Sequence, residues 1–321
     1  MDDTTKWLLT GPAYVQYRTR VDLLKQSESN AAVRAARQAM LADRQVRALI
    51  DEASNLSKQV ISSHKSAGHA LHKLTFLADL GLRADDPGMK QVIAGIFKHQ
   101  STQGPFQVLM NVPVHFGGTG KDDFAWALCD APLVVSALCK FGLGNDARVR
   151  RAVDYLTGLV RENGFPCAVS PELGKFRGPG RKEDPCPFAN LAMLKVLAQN
   201  SQTRNSRASR LAVESILARW QNRRTEHPYM FYMGTDFNKL KAPLVWYDIL
   251  HVLDVLTQFS WTCTDARLQS MLKIIQAKSV DGKFIPESIW TAWQDWEFGQ
   301  KKVASYWVTF LAQRILKRTN A

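Results

Sequence analysis

The feature that most constrains this chain is a recurring segment: a loop with glycine or basic residues, then a helix-length apolar run that begins with polar residues. The pattern predicts such helices over Gly11–Gln26, His64–Leu82, Asp122–Phe141, Asp184–Gln199, Leu244–Phe259 and Val303–Lys317. The starts Asp122, Asp184, Asp248 and Ser305 follow one another at intervals of 62, 64 and 57 positions. A patchwork of unrelated domains would not keep such a period. The 321 residues therefore read as a single domain, with N-terminal helices and a polar connection over 1–63 and repeats of about sixty residues over 64–321.

Between these runs lie helices with one apolar face, expected at Met89–Gln100, Ala147–Arg161, Ser206–Asn222 and Ala266–Lys278, with Asn30–Gln59 as a longer, more polar counterpart. In the second of them Val149, Ala152, Val153, Leu156 and Val160 recur every three or four positions, while Arg148, Arg150, Arg151 and Arg161 occupy the other side. Alternation of all-apolar with one-sided helices implies two layers, an inner set touched on both sides and an outer set facing water. Asp85-Asp86-Pro87 and Asn145-Asp146 stand where helix starts need caps. Each outer helix is followed by a glycine or proline turn with an aromatic: Gly104-Pro105-Phe106, Gly164-Phe165-Pro166, Pro228-Tyr229-Met230-Phe231 and Gly282-Lys283-Phe284. Glycine suits turns of positive φ, and the aromatic can fill the seam between helix pairs. Strand-like alternation is not evident anywhere, so the reading is all-α.

At 45% hydrophobic residues the chain can bury a substantial core. It shows no secretory leader and no run of about eighteen apolar residues, so a cytoplasmic protein with no transmembrane segment is expected. Cys129, Cys139, Cys167, Cys186 and Cys263 are odd in number and form no C-x-x-C pair, as suits reduced thiols. A net charge of +13 favours anionic small molecules, polyanions, nucleic acid or an anionic membrane surface as partners.

Helix pairs of this period, joined by Gly-Phe turns, resemble the α/α toroid of protein prenyltransferase β subunits and triterpene cyclases, over about Ser62 to Arg318. The resemblance implies a barrel of about six inner helices surrounded by outer ones. The N-termini of parallel inner helices would gather at one end. That set would comprise His64, Lys65, His69 and His72, then Lys121, Asp122 and Asp123, and further along Arg181, Lys182, Asp184 and Cys186. Lys239, Lys241, Asp248, His251, Lys301, Lys302 and Tyr306 would complete it. Helix starts carry partial positive charge, so Arg177, Arg181, Lys182, Lys239, Lys241, Lys301 and Lys302 are expected to bind an anion such as a diphosphate. Aspartate at a helix start also serves simply as a cap.

The prenyltransferase resemblance has a sharper part. That family holds zinc with Asp-x-Cys at one inner helix and His at the next. Asp184-Pro185-Cys186 is similar, preceded by Arg177 and Arg181, but Asp248 stands where the family has His, and His251 lies one turn on. The resemblance thus implies zinc on Asp184, Cys186 and His251, or on Asp184, Cys186 and Asp248. The Asp-x-Asp-Asp of triterpene cyclases is absent. Among late aromatics, Trp246, Tyr247, Trp290, Trp293 and Trp307 are candidates to wall a pocket or to plug the barrel's end. The leading expectation is an enzyme acting on an anionic, isoprenoid diphosphate-like substrate, with Asp122, Asp184, Asp248 and Tyr306 as reacting groups. A non-catalytic polyanion or nucleic-acid binder, and a carbohydrate-active (α/α) barrel, are the alternatives.

Overall fold

The computed structural model describes residues 1–178, 181–226 and 230–319. In chain order its helices are α1 (Asp3–Leu8), α2 (Ala13–Arg18), α3 (Ala31–Ala42), α4 (Arg44–Ala53), α5 (Ala70–Leu80) and α6 (Met89–Phe97). A hairpin of β1 (Val108–Asn111) and β2 (Asp122–Ala125) follows. After it come α7 (Ala131–Leu138), α8 (Ala147–Thr157), α9 (Pro187–Leu197), α10 (Ser201–Arg204), α11 (Arg207–Gln221), α12 (Ile249–Leu256), α13 (Ala266–Gln276) and α14 (Tyr306–Thr319). The protein is mainly helical, with the two-stranded hairpin as its sheet among the described residues. Among the described residues no helix is long and apolar enough to cross a membrane.

Contacts group the chain into two units, one of Met1–Ala48 with Gly234–Ala321 and the other of Leu49–Met233. In the second unit, α5, α7 and α9 are buried along every residue, and α7 packs against both others. In α8, which touches α7, burial falls on Val149, Ala152 and Leu156 while Arg148, Arg150 and Arg151 stay exposed. These are the expected inner and outer helices. Two charged groups on α5 are paired, since an unpaired buried charge costs several kcal/mol: Lys73 with Glu52, and Asp79 with Lys140, each at 2.6 Å.

The turns after the outer helices also follow the pattern, with Phe106, Phe165 and Phe284 fully buried. Burying one such ring stabilises by roughly 1.5–3 kcal/mol. At Gly164, φ is +108° and a Cβ would lie 2.6 Å from Asn190 Oδ1, so the turn needs glycine both for its backbone and for its neighbour. Of the third turn, Pro228 and Tyr229 lie outside the described residues.

In the first unit α14 packs on α12, α1, α2 and the π-turn Thr19–Leu23. Arg314, 6% exposed, lies between two carboxylates, with Nη2 2.8 Å from Asp254 Oδ1 and Nη1 3.3 Å from Asp22 Oδ2. Arg318 reaches Asp254 at 3.0 Å. Tyr14 sits edge-on to Trp307 and near Trp296, and Trp7 stacks on Tyr306 at 4.1 Å.

Two expectations need correction. The segment expected to open a helix at Asp122 is instead the antiparallel hairpin, pairing Val108 with Ala125 and Asn111 with Asp122. Four-residue strands are too short to show alternation, although Val108 and Met110 do point inward. The longer helix expected over Asn30–Gln59 is instead two, α3 and α4, and Val46, Leu49, Ile50 and Ala53 of α4 form a buried face at helical spacing.

Candidate functional site

Three segments of the second unit are laid side by side by backbone hydrogen bonds. The extended stretch Phe165 to Ser170 pairs on one edge with Trp126 to Leu128, where Leu128 N donates to Ala168 O and Ser170 N to Trp126 O, both at 2.8 Å. On its other edge Cys186 N donates to Phe165 O at 2.8 Å. Asn190, wholly buried on α9, fastens this edge: its Oδ1 accepts from Phe165 N, and its Nδ2 donates to Phe165 O and Cys186 O. Cys129, Cys167 and Cys186, far apart in sequence, are thereby brought to one place at the starts of α7 and α9.

Asp130 lies just before α7 and is 1% exposed. Its Oδ1 accepts from His64 Nδ1 at 2.8 Å, while His64 Nε2 lies 3.4 Å from Cys129 Sγ. Cys129 Sγ is also 3.7 Å from Asp130 Oδ2. The nearby His72 donates from Nε2 to His64 O at 3.0 Å, and His69 caps α5 by accepting from Leu71 N. Imidazole, thiol and carboxylate thus touch at the start of α7.

Electrostatics distinguish the groups. Burial works against charge on His64, but the Asp130 carboxylate outweighs it and raises the imidazole above its ordinary value. Burial pushes His72 down to about 4, so it stays neutral at neutral pH. Burial pushes the Cys186 thiol up to about 12, and burial with the Asp130 charge lifts Cys129 well above its usual range. Yet Cys129, Cys167 and Cys186 each keep some exposed surface, and His64 keeps a quarter of its side chain open. These groups are closely surrounded yet not sealed from solvent. A surface groove of about 510 Å³ elsewhere on this unit, between α6 and α8, is lined by Ile93, Phe97, Lys90 and Arg148 and lacks any such group.

The other sequence candidates are placed as follows. Asp122 ends the hairpin, accepting from Asn111 Nδ2 at 2.6 Å, and Asp123 accepts from Thr119. Asp184 is half-buried, accepts from Arg181 N and pairs with the exposed Arg181 guanidinium at 3.4 Å. Arg177 and Lys182 are exposed on the same loop. Asp248 and His251 belong to the first unit. Asp248 caps α12 by accepting from His251 N at 2.9 Å, and His251, wholly buried, donates from Nδ1 to Trp246 O at 2.7 Å. That bond occupies one of the two nitrogens His251 would offer a metal. Lys239 pairs with Asp236, Lys241 lies 3.8 Å over the Trp290 ring, and Lys301 and Lys302 are exposed. Trp246 and Tyr247 are buried, while Trp293 and Trp307 are 1% exposed and pack with Trp296, Phe298, Tyr14 and Phe310, as packing groups of that unit. Tyr306 begins α14, its N–H donating to Glu297.

Cys186 and His64 stood among the sequence candidates; Cys129 and Asp130 did not. The signal was a lone aspartate ahead of Pro132 in the otherwise apolar run from Phe124 to Leu138, where a charge needs a reason.

No protein-family model matches the chain, and no curated protein matches its sequence. Among solved structures it is similar to a protein from Actinoplanes at 16% identity and a TM-score of 0.43, covering 96% of this chain and 89% of that one. The type II terpene cyclase MstE from Scytonema is similar at 11% identity and a TM-score of 0.42, covering 99% and 87%. A variant of it in complex with its substrate geranylgeranyl dihydroxybenzoate gives 12% and 0.42, covering 98% and 87%. Likeness at this level bears on neither site nor substrate.

Proposed function

We propose that this protein is a toroid-type enzyme acting on an anionic, isoprenoid diphosphate-like substrate, with its chemistry at the cluster of His64, Cys129 and Asp130 in the second unit. The contact of His64 with both Asp130 and Cys129 carries the reading. The Asp130 carboxylate favours the protonated form of His64, which suits the imidazole to give up a proton beside Cys129. The start of α9 and the basic loop with Arg177, Arg181 and Lys182 favour an anionic head group, and the apolar starts of α7 and α9 suit an alkyl chain.

The test is incubation of the full chain with geranyl, farnesyl and geranylgeranyl diphosphates, with products followed by mass spectrometry. At least one should be consumed, and Asp130→Asn should lower turnover 100-fold or more, on the order of what a lost acid–base partner costs, with unchanged circular dichroism. Consumption of none, or undiminished turnover by the variant, rejects the reading.

A further inference from the structure

We infer that Cys129, His64 and Asp130 form a nucleophilic triad that removes acyl groups from an activated ester or thioester, with Cys129 Sγ as nucleophile and His64 Nε2 as base. Asp130 is the positioning residue behind the imidazole. This activity stands apart from the proposed isoprenoid substrate and rests on the order in which the three side chains touch.

Three observations carry it. First, the contacts run from sulfur to imidazole to carboxylate. Cys129 Sγ lies 3.4 Å from His64 Nε2, within reach of a sulfur hydrogen bond, and His64 Nδ1 lies 2.8 Å from Asp130 Oδ1. A nucleophile beside a base that a third group orients is the arrangement by which weak nucleophiles are activated. Second, the imidazole is held in the form a base requires. The Asp130 carboxylate accepts from Nδ1–H, so in the neutral ring the free lone pair belongs to Nε2, on the side of the sulfur. The backbone of His64 is anchored too, because His72 donates from Nε2 to His64 O at 3.0 Å. Third, exposure is graded along the three groups. Asp130 is 1% exposed, whereas Cys129 and His64 keep surface open to solvent, so a substrate can approach the sulfur while the carboxylate stays shielded. Cys263, by contrast, donates its thiol to Arg318 O at 3.7 Å.

The proton balance closes within the triad. Burial and the Asp130 charge keep Cys129 a thiol at rest, so its proton passes to His64 Nε2 as Sγ bonds to the carbonyl carbon. The bond from that carbon to the alcohol or thiol then breaks, and the leaving group takes the proton from Nε2. Water attacks the resulting acyl thioester with His64 again as base, releasing the acid and restoring the thiol. Asp130 is the charge that acts on His64, since burial favours the neutral forms of His69 and His72 and keeps Cys167 and Cys186 as thiols.

The test follows p-nitrophenol release from p-nitrophenyl acetate by the full chain. Acid-quenched samples should carry one acetyl group, on the peptide containing Cys129. At neutral pH the folded chain should react 100-fold or more faster than the urea-unfolded chain, in the range of general-base assistance. Cys129→Ala should lose the acetyl group, His64→Gln should slow release 100-fold or more, and Cys263→Ser should match the native protein. Attack requires an unprotonated Nε2, so the rate should rise with pH through a midpoint above the ordinary imidazole value, and Asp130→Asn should both slow release and move that midpoint down. Acetylation of other residues in place of Cys129, or a folded chain no faster than the unfolded one, overturns the inference. So does an undiminished rate in His64→Gln. Acetylation of Cys129 by a chain that consumes no isoprenoid diphosphate upholds the triad and rejects that substrate, and consumption without acetylation does the reverse.

Discussion

Replacing Asp248 by asparagine should remove the pH dependence of a large stability contribution. In the native protein one carboxylate oxygen caps α12 by accepting from His251 N, while Oδ2 is buried with no hydrogen-bond partner. Burial, only partly offset by the His251 N–H and the Lys241 charge, pushes this carboxyl from 3.8 up to about 7. The folded chain therefore holds a proton that the unfolded chain releases, and stability falls as pH rises from about 4 to about 7, then levels off. Three pH units correspond to roughly 4 kcal/mol at most. The amide introduced by Asp248→Asn would keep the capping oxygen and could not ionise. That variant should therefore match the native protein near pH 4 and exceed it by up to about 4 kcal/mol at pH 8. Urea unfolding followed by circular dichroism at pH 4, 6 and 8 measures the difference. Parallel profiles, or an asparagine variant less stable than native at pH 8, would refute the buried-carboxyl argument.

Two further outcomes follow from named contacts. Asp254→Ala strips Arg314, 6% exposed, of one of its two carboxylates and Arg318 of its ion-pair partner, and should cost about 3–5 kcal/mol in thermal or urea unfolding. Asn190→Ala leaves Phe165 N–H without its buried acceptor and opens a small void, which should cost about 2–4 kcal/mol in urea unfolding, more than Asn222→Ala on the outer layer.

Helices were legible in the sequence because their signal is long. α8 and α13 each bury one stripe at helical spacing, and the inner α5 and α9 are apolar enough to announce burial on all sides. The hairpin was illegible because Val108–Asn111 and Asp122–Ala125 are shorter than the window in which a period of two declares itself. The site was half legible. Cys186 stood out through its proximity to Asp184 and the basic loop, and His64 through its place before an inner helix. Which side chains meet depends on direction in the first turn, and there local bonds won. Asp248 turned back to cap its own helix, and His251 bonded to Trp246 O. Cys129 and Cys167 were beyond reach for another reason: only the pairing of three extended segments brings them beside Cys186, and that register leaves no mark in the sequence.

The first unit is assembled from both ends of the described chain, Met1–Ala48 and Gly234–Ala321, whereas the second is one continuous stretch. During synthesis the second unit can begin to fold as soon as it leaves the ribosome, because its helix contacts join neighbours in sequence. The N-terminal helices must wait. Asp22 meets its partner Arg314 only when α14 has been made, so Tyr14 and Leu23 stay without their final cover until translation reaches the last helix. A nascent chain arrested before Tyr306 should therefore carry a protease-resistant middle and a beginning that binds chaperones, and release from the arrest should protect both ends of the unit together.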